Sequence, residues 1–159
     1  MQWFKTSMLA AALVVLPMMA IAQSPMDDKT DMQKLATQWM ESYNKRDSAA
    51  LAAAYAPDAL LSFTVWTAAG RAAIQEGFAK EFAAVDVKIT TINVDQAQRL
   101  GDWQHSRGTW AGEIKTPDGK TTPMNGHWLI IGTCQGQTCL IGSHVANTDM
   151  PPPPQTSAK

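Results

Sequence analysis

Residues 39–61 read WMESYNKRDSAALAAAYAPDALL, and the architecture is read outward from this run. Just upstream and into it, Met32, Leu35, Ala36, Trp39 and Tyr43 recur at the i, i+3, i+4, i+7 spacing of one helix face. Residues 31–44 are therefore predicted to form an amphipathic helix. Asp47 stands where an N-cap belongs, its short carboxylate able to accept an N–H of the following turn, so SAALAAAY (48–55) is predicted as a second, shorter helix. Pro57 is expected to end it, and LLSFTVW (60–66) is rich in strand formers.

Downstream, Gly70 restarts a helix in which Ile74, Phe78 and Phe82 form a stripe at spacing four. From Val85 the chain turns to strand composition: VKITTINV, then WQHSRGTWAGEI, a turn at Pro117-Asp118-Gly119, then HWLIIGT and CLIGSHVAN. Two helices, a strand, a third helix and a four-strand meander imply an α+β domain with its helices on one face of a bent antiparallel sheet.

The N-terminus, MQWFKTSMLAAALVVLPMMAIAQSP, carries Lys5 as the only charge before an apolar run from Met8 to Ile21. Ala20-Ile21-Ala22 places small residues before a cut at Gln23, so residues 1–22 are expected to be a cleavable signal peptide. The run is broken by Pro17 and falls short of the roughly 20 residues a spanning helix needs. No cysteine stands at the cut to carry a lipid. The expected location is periplasmic or secreted, with no membrane attachment after cleavage. Cleavage leaves 159 − 22 = 137 residues, enough for one cored domain, with 13 − 1 = 12 basic against 14 acidic side chains. A weak negative charge without a basic run argues against nucleic acid as a partner. Residues 23–30 are expected to be flexible, 31–148 to form the domain, and 149–159 (DMPPPPQTSAK) to be a disordered, proline-rich tail.

Export bears on the cysteines, because thiols in an oxidising compartment pair. Cys134 and Cys139 flank Gln-Gly-Gln-Thr between two strand-forming runs, which reads as a hairpin with the cysteines facing across it as a disulfide. The CxxxxC spacing does not match the CxxC redox motif. Closing so small a loop stabilises by about 2 kcal/mol on the chain-entropy account.

The run WMESYNKRDSAALAAAYAPDALL followed by GRAAI resembles the opening of the nuclear-transport-factor-2-like superfamily, which includes ketosteroid isomerase and the SnoaL-like polyketide cyclases. Asn44, Asp47, Leu51, Tyr55, Asp58-Ala59, Gly70-Arg71 and Ile74 carry the likeness, with Gly108-Thr109-Trp110 and the Asp118-Gly119 turn fitting the later meander. The resemblance covers residues 31–148 and implies a cone: a bent sheet wrapped around helices, with an apolar pocket at the open end. Isomerases of this kind use a carboxylate base, with a tyrosine and a protonated acid holding the oxyanion. Counted along the shared frame, the tyrosine falls at Trp39, the base at Phe63 and the acid near Asn125 or Gly126. Trp39 only donates and Phe63 has no polar atom, so proton transfer by that route is lost.

His105, His127 and His144 are the candidate catalytic residues. His105 and Arg107 share a strand face with Trp103; Gln104, Ser106, Gly108 and Trp110 share the other. A regular ladder carried back from Cys134–Cys139 sets His144 opposite Leu129 and His127 opposite Ala146, making the two histidines diagonal neighbours on one face, about 7–8 Å apart. An even loop at Asp118-Gly119 would bring Trp110 to the face of His127, whereas a one-residue bulge would bring His105 and Arg107 there. Three readings compete: ordinary strand residues at a surface or subunit contact, an acid–base pair as in the dehydratases this fold resembles (which places His105 and His127 on neighbouring strands), and a zinc site. No metal-ligand spacing is present, so no metal or cofactor is expected. Trp66 and Trp110, each near a strand end, are expected at the pocket mouth. Tyr43 and Trp128 belong by spacing to a core that in a cone merges with the pocket, and Arg107 and Asn125 complete the expected ligand-binding set. The favoured expectation is an exported module binding a small apolar or aromatic molecule. The alternatives are a histidine-dependent lyase or isomerase and a non-catalytic homodimer formed through the sheet face.

Overall fold

The computed structural model describes residues 28–136 and 138–149. The expected signal peptide, residues 23–27 and the tail from Met150 onward lie outside the described residues. The elements run α1 (Asp28–Asn44), α2 (Ser48–Ala53), β1 (Tyr55–Phe63), β2 (Thr67–Ala69), α3 (Arg71–Ala84), β3 (Asp86–Leu100), β4 (Trp103–Lys115), β5 (Thr121–Gln135) and β6 (Thr138–Thr148). One six-stranded sheet has the order β2-β1-β6-β5-β4-β3. The meander β3–β6 is antiparallel, as expected, while β1 returns parallel to β6 and makes the sheet mixed. This is the predicted α+β cone, with one short strand, β2, that three residues of unremarkable sequence did not announce.

Local chemistry explains the first half. Asp47 caps α2 through a 2.9 Å bond from Ala50 N to its Oδ1. Two amide side chains bind α1 to the backbone of β3. Asn44 bonds both N and O of Ile89 at 2.9 and 2.8 Å. Gln33 bonds Ile92 O at 2.8 Å and Val94 N at 2.9 Å. Gly70 adopts φ 87°, a left-handed turn into α3 that suits glycine.

Several boundaries differ from expectation. α1 begins at Asp28, so residues 28–30 are helical rather than flexible. Asp149 is fastened by its N–H to Asn125 O at 2.8 Å and is not part of a loose tail. The second helix ends at Ala53, before Pro57 is reached, and Pro57 and Asp58 lie inside β1. The proline, which has no N–H to donate, is tolerated because no ladder bond is required there: β6 pairs with β1 at Tyr55 and again from Leu60, and β2 pairs only over Leu60–Ser62.

The register of β5 against β6 is the feature that places the site. Cys134↔Cys139, Thr133↔Leu140 and Gly132↔Ile141 follow the expected alignment; then one residue, Gly142, is left over, and Ile131 pairs with Ser143. Beyond this bulge His144 faces Ile130, not Leu129, and His127 faces Asn147, not Ala146. An extra residue exchanges the two faces for everything beyond it, so the two histidines do not share a face. At the other turn Lys115 pairs with Thr121 across five residues, which sets Thr109 against His127 and leaves His105, Arg107 and His127 together on the outer face. The cysteines face each other directly and are joined, with Cα atoms 4.0 Å apart.

The core lies between the helices and the inner sheet face in two clusters. One gathers Tyr43, Leu51, Tyr55, Leu61, Ile74 and Phe78; the other gathers Met32, Ala36, Val94 and Trp128.

Candidate functional site

A cavity of about 230 Å³ opens where the two clusters meet, its walls drawn from α1, the end of α3 and the inner face of β3–β6. Trp39 and Tyr43, four residues apart on α1, stack with ring centroids 5.5 Å apart and form one wall. Phe63 from the end of β1 and Trp110 and Trp128 from the meander form the others. Both meander indoles are pinned to strand carbonyls, Trp110 to Asn147 at 3.1 Å and Trp128 to Thr109 at 3.2 Å. They fit because glycine stands beneath each: a Cβ at Gly126 would come within 2.7 Å of the Trp110 nitrogen, and one at Gly108 within 2.8 Å of the Trp128 ring.

Two side chains of acid–base type, His144 and Glu81, break this largely apolar surface. His144 is buried, with Phe63 and Trp39 edge-on at 5.3 and 5.8 Å. Burial in these surroundings lowers its pKa to about 3, so the ring is neutral near neutrality. Its Nδ1 lies 2.7 Å from the Tyr55 hydroxyl. Burial pushes the Tyr55 phenol well above its ordinary value, so Tyr55 stays protonated and donates to Nδ1. The ring proton therefore sits on Nε2, which has no hydrogen-bond partner among the described residues. A second cavity of about 80 Å³ lies behind the first, and His144, Trp39, Ile92 and Trp128 border both. The Trp39 indole N–H is buried without a hydrogen-bond partner among the described residues.

Glu81, in the last turn of α3, is the other polar group. Its Oε1 accepts a short bond from the Tyr43 hydroxyl and its Oε2 a 2.6 Å bond from Trp66 Nε1. Burial first, and the Glu81 carboxylate second, raise the pKa of Tyr43 and keep it a donor.

Of the expected site residues, Tyr43, Trp110, Trp128 and His144 line the cavity. Trp66 does not; it lies beyond the end of β1, against Phe63 at 5.1 Å, and acts through Glu81. Arg107 is exposed on the outer face, bonded to Gln96 at 3.1 Å, and Asn125 faces outward to Asp149 at 2.7 Å. His105 and His127 are also on the outer face, four ladder positions apart, and His127 lies 3.7 Å from Asp149. Neither histidine pair nor histidine trio assembles, and among the described residues no three metal-binding side chains gather. The sequence reading missed Glu81 and Tyr55. The available signal was an acid three residues after Phe78, on the flank of the Ile74–Phe78–Phe82 stripe.

The profile of the SnoaL-like domain matches residues 36–131, more than half of the chain. The chain belongs to the SnoaL-like family, within the nuclear-transport-factor-2-like superfamily. Similar solved structures include a protein of unknown function from Mycobacterium tuberculosis, with TM-score 0.69 and 19% identity over 82% of this chain and 79% of that one. A ketosteroid isomerase-like protein from Erwinia carotovora atroseptica gives 0.68 and 18% over 79% and 99%. A protein with a cystatin-like fold from Caulobacter vibrioides gives 0.62 and 17% over 77% and 91%. At these identities the likeness is one of fold. No curated protein matches the chain by sequence.

In this SnoaL-like chain, Trp39 and Phe63 stand on the cavity wall at the positions the resemblance assigns to an isomerase's tyrosine and base. At the third, Gly126 faces inward without a side chain and Asn125 faces away. The cavity's carboxylate comes instead from α3.

Proposed function

We propose that this SnoaL-like protein is an exported binding module that holds one small apolar or aromatic molecule in the cone cavity, without isomerase chemistry of its own. The observation that carries the reading is the cavity of about 230 Å³ walled by five aromatic side chains, with a phenylalanine where a proton-transferring base would stand. Such a concave, mostly apolar space with a few polar groups has the character of a small-molecule site. Export is supported by the N-terminal pattern and by the paired cysteines.

The test is a titration of the chain from Gln23 with 2-naphthol, followed by tryptophan fluorescence, since Trp39, Trp110 and Trp128 all border the cavity. A saturable response at one site per chain is expected, with a rise in melting temperature as free ligand exceeds Kd. If naphthol, indole and cyclohexanol all leave fluorescence and melting unchanged, the reading fails.

A homodimer through the sheet is favoured by a separate observation. Trp103, Leu129, Ile131 and Val145 are exposed on the outer face, and Val145 and Leu129 are paired across β6 and β5. Sedimentation of the same chain should give the mass of two copies; a monomer at the highest soluble concentration rules this pairing out.

A further inference from the structure

Resting on the binding reading above, we infer that the ligand this cavity selects is a small hydrophobic amine in its protonated form, held by the Glu81 carboxylate and the faces of the surrounding rings. Charge is the first argument. Among the described residues, Glu81 is the one acidic or basic side chain on the cavity wall besides His144, and His144 is neutral. Among the described residues Glu81 forms no ion pair. Arg46 is near enough to act on Tyr43, but its guanidinium is committed elsewhere. It donates to Phe82 O at 2.7 Å, to Val85 O at 3.0 Å and to Asp86 at 3.0 Å. A partly buried carboxylate held only by two neutral donors is left with net negative charge facing an apolar space.

Position strengthens this. Glu81 lies in the last turn of α3, which carries no basic side chain, and the negative end of the helix dipole disfavours an acid there. A cation arriving beside Glu81 relieves both. A carboxylate can accept about four hydrogen bonds, and Tyr43 and Trp66 take two, so an ammonium still finds acceptors. The two donors also fix the carboxylate rotamer before any ligand arrives.

The walls complete the match. Trp39, Tyr43, Phe63, Trp110 and Trp128 present ring faces or edges around the same space. Their π faces attract cations, and more strongly when water is excluded. A hydrocarbon would use the walls and ignore Glu81. An anion would be repelled by it. An aryl-alkyl ammonium uses both, and the neutral His144 offers it no like charge.

The experiment compares three ligands of nearly one shape on the chain from Gln23: phenethylammonium, 2-phenylethanol and 3-phenylpropanoate, titrated near neutral pH by calorimetry and tryptophan fluorescence. The expected order is amine, alcohol, acid, with the amine tighter than the alcohol by about tenfold or more, the scale of a desolvated cation–π contact together with an ion pair. In Glu81→Gln, the preference for the amine over the alcohol should disappear, the two binding within about twofold of each other. Should the alcohol bind wild type as tightly as the amine, or should naphthol bind while the amine does not, the amine inference is wrong and the binding reading survives. If none of the four binds, and indole and cyclohexanol also leave the protein unchanged, both fall. The wild-type comparison decides the matter even if the Glu81 variant does not fold.

Discussion

His144 and His127 lie on neighbouring strands of one ladder, three positions apart, and share almost nothing else. His144 is 5% exposed, walled by aromatic rings, bonded through Nδ1 to a buried tyrosine and held neutral. His127 projects from the outer face with most of its side chain in water, its Nε2 3.7 Å from the Asp149 carboxylate. The residue type is the same and so is the sheet. What differs is the parity of the position, and the parity is set by one residue, Gly142, that the β5–β6 ladder skips. A bulge therefore acts here as a selector, deciding whether His144 faces the cavity or joins His127 on the outer face.

Changing the selector residue is expected to have the largest effect. The disulfide anchors the register at Cys134–Cys139, so a strand shortened by deletion of Gly142 would run without a bulge, Ser143 still against Ile131 and His144 still against Ile130. His144 should therefore stay inward and keep the Tyr55 hydroxyl as its partner, while the strand loses the bend that the bulge gives it. The deletion variant should keep a cooperative urea transition and its near-ultraviolet circular dichroism, at a cost of about 1–3 kcal/mol. Gly142→Ala, by contrast, should cost less than about 1 kcal/mol, since a Cβ there meets only Ile131 O at 3.4 Å. A deletion variant without a cooperative transition, or an alanine variant as damaged as the deletion, would show that Gly142 does more than set the parity of His144.

The same parity explains which parts of the molecule could be read beforehand. The α1 stripe, the Asp47 cap, the α3 stripe and the cysteine hairpin each rest on chemistry within a few residues of chain, and each is found where it was expected. The bulge has no such signature, because a glycine in a strand of small residues can equally be a regular position. Its omission was enough to pair His127 with His144 on one face. The five-residue turn after Lys115 likewise decided that Arg107 and His105 face outward. Glu81 was hidden for a different reason. Helical periodicity places it on the flank of an apolar stripe, but only Tyr43, 38 residues away in sequence, and Trp66 show that it turns inward. Pro57 read as a helix stop, and it sits inside a strand because both neighbouring strands happen to leave that stretch unpaired.

A smaller effect, confined to acid, tests the inner histidine directly. The folded-state pKa of His144 is lowered from 6.5 to about 3 by burial. Above the unfolded value neither state binds the proton, and stability does not depend on it. As pH falls through about 6.5 the unfolded chain takes up a proton that the folded one refuses, so acid favours unfolding, by up to about 1.4 kcal/mol for each pH unit until the folded value is reached. The clean window lies between about pH 6.5 and 4.5, before the carboxylates begin to protonate. Urea midpoints of the wild type should fall steadily across that window. His144→Gln keeps an acceptor for the Tyr55 hydroxyl but cannot titrate, so its midpoint should be lower than wild type at neutral pH and flatter in acid. A variant that retained the full slope would mean that the protons are taken up elsewhere, and that the neutral imidazole bordering the cavity is not where the chain stores its acid sensitivity.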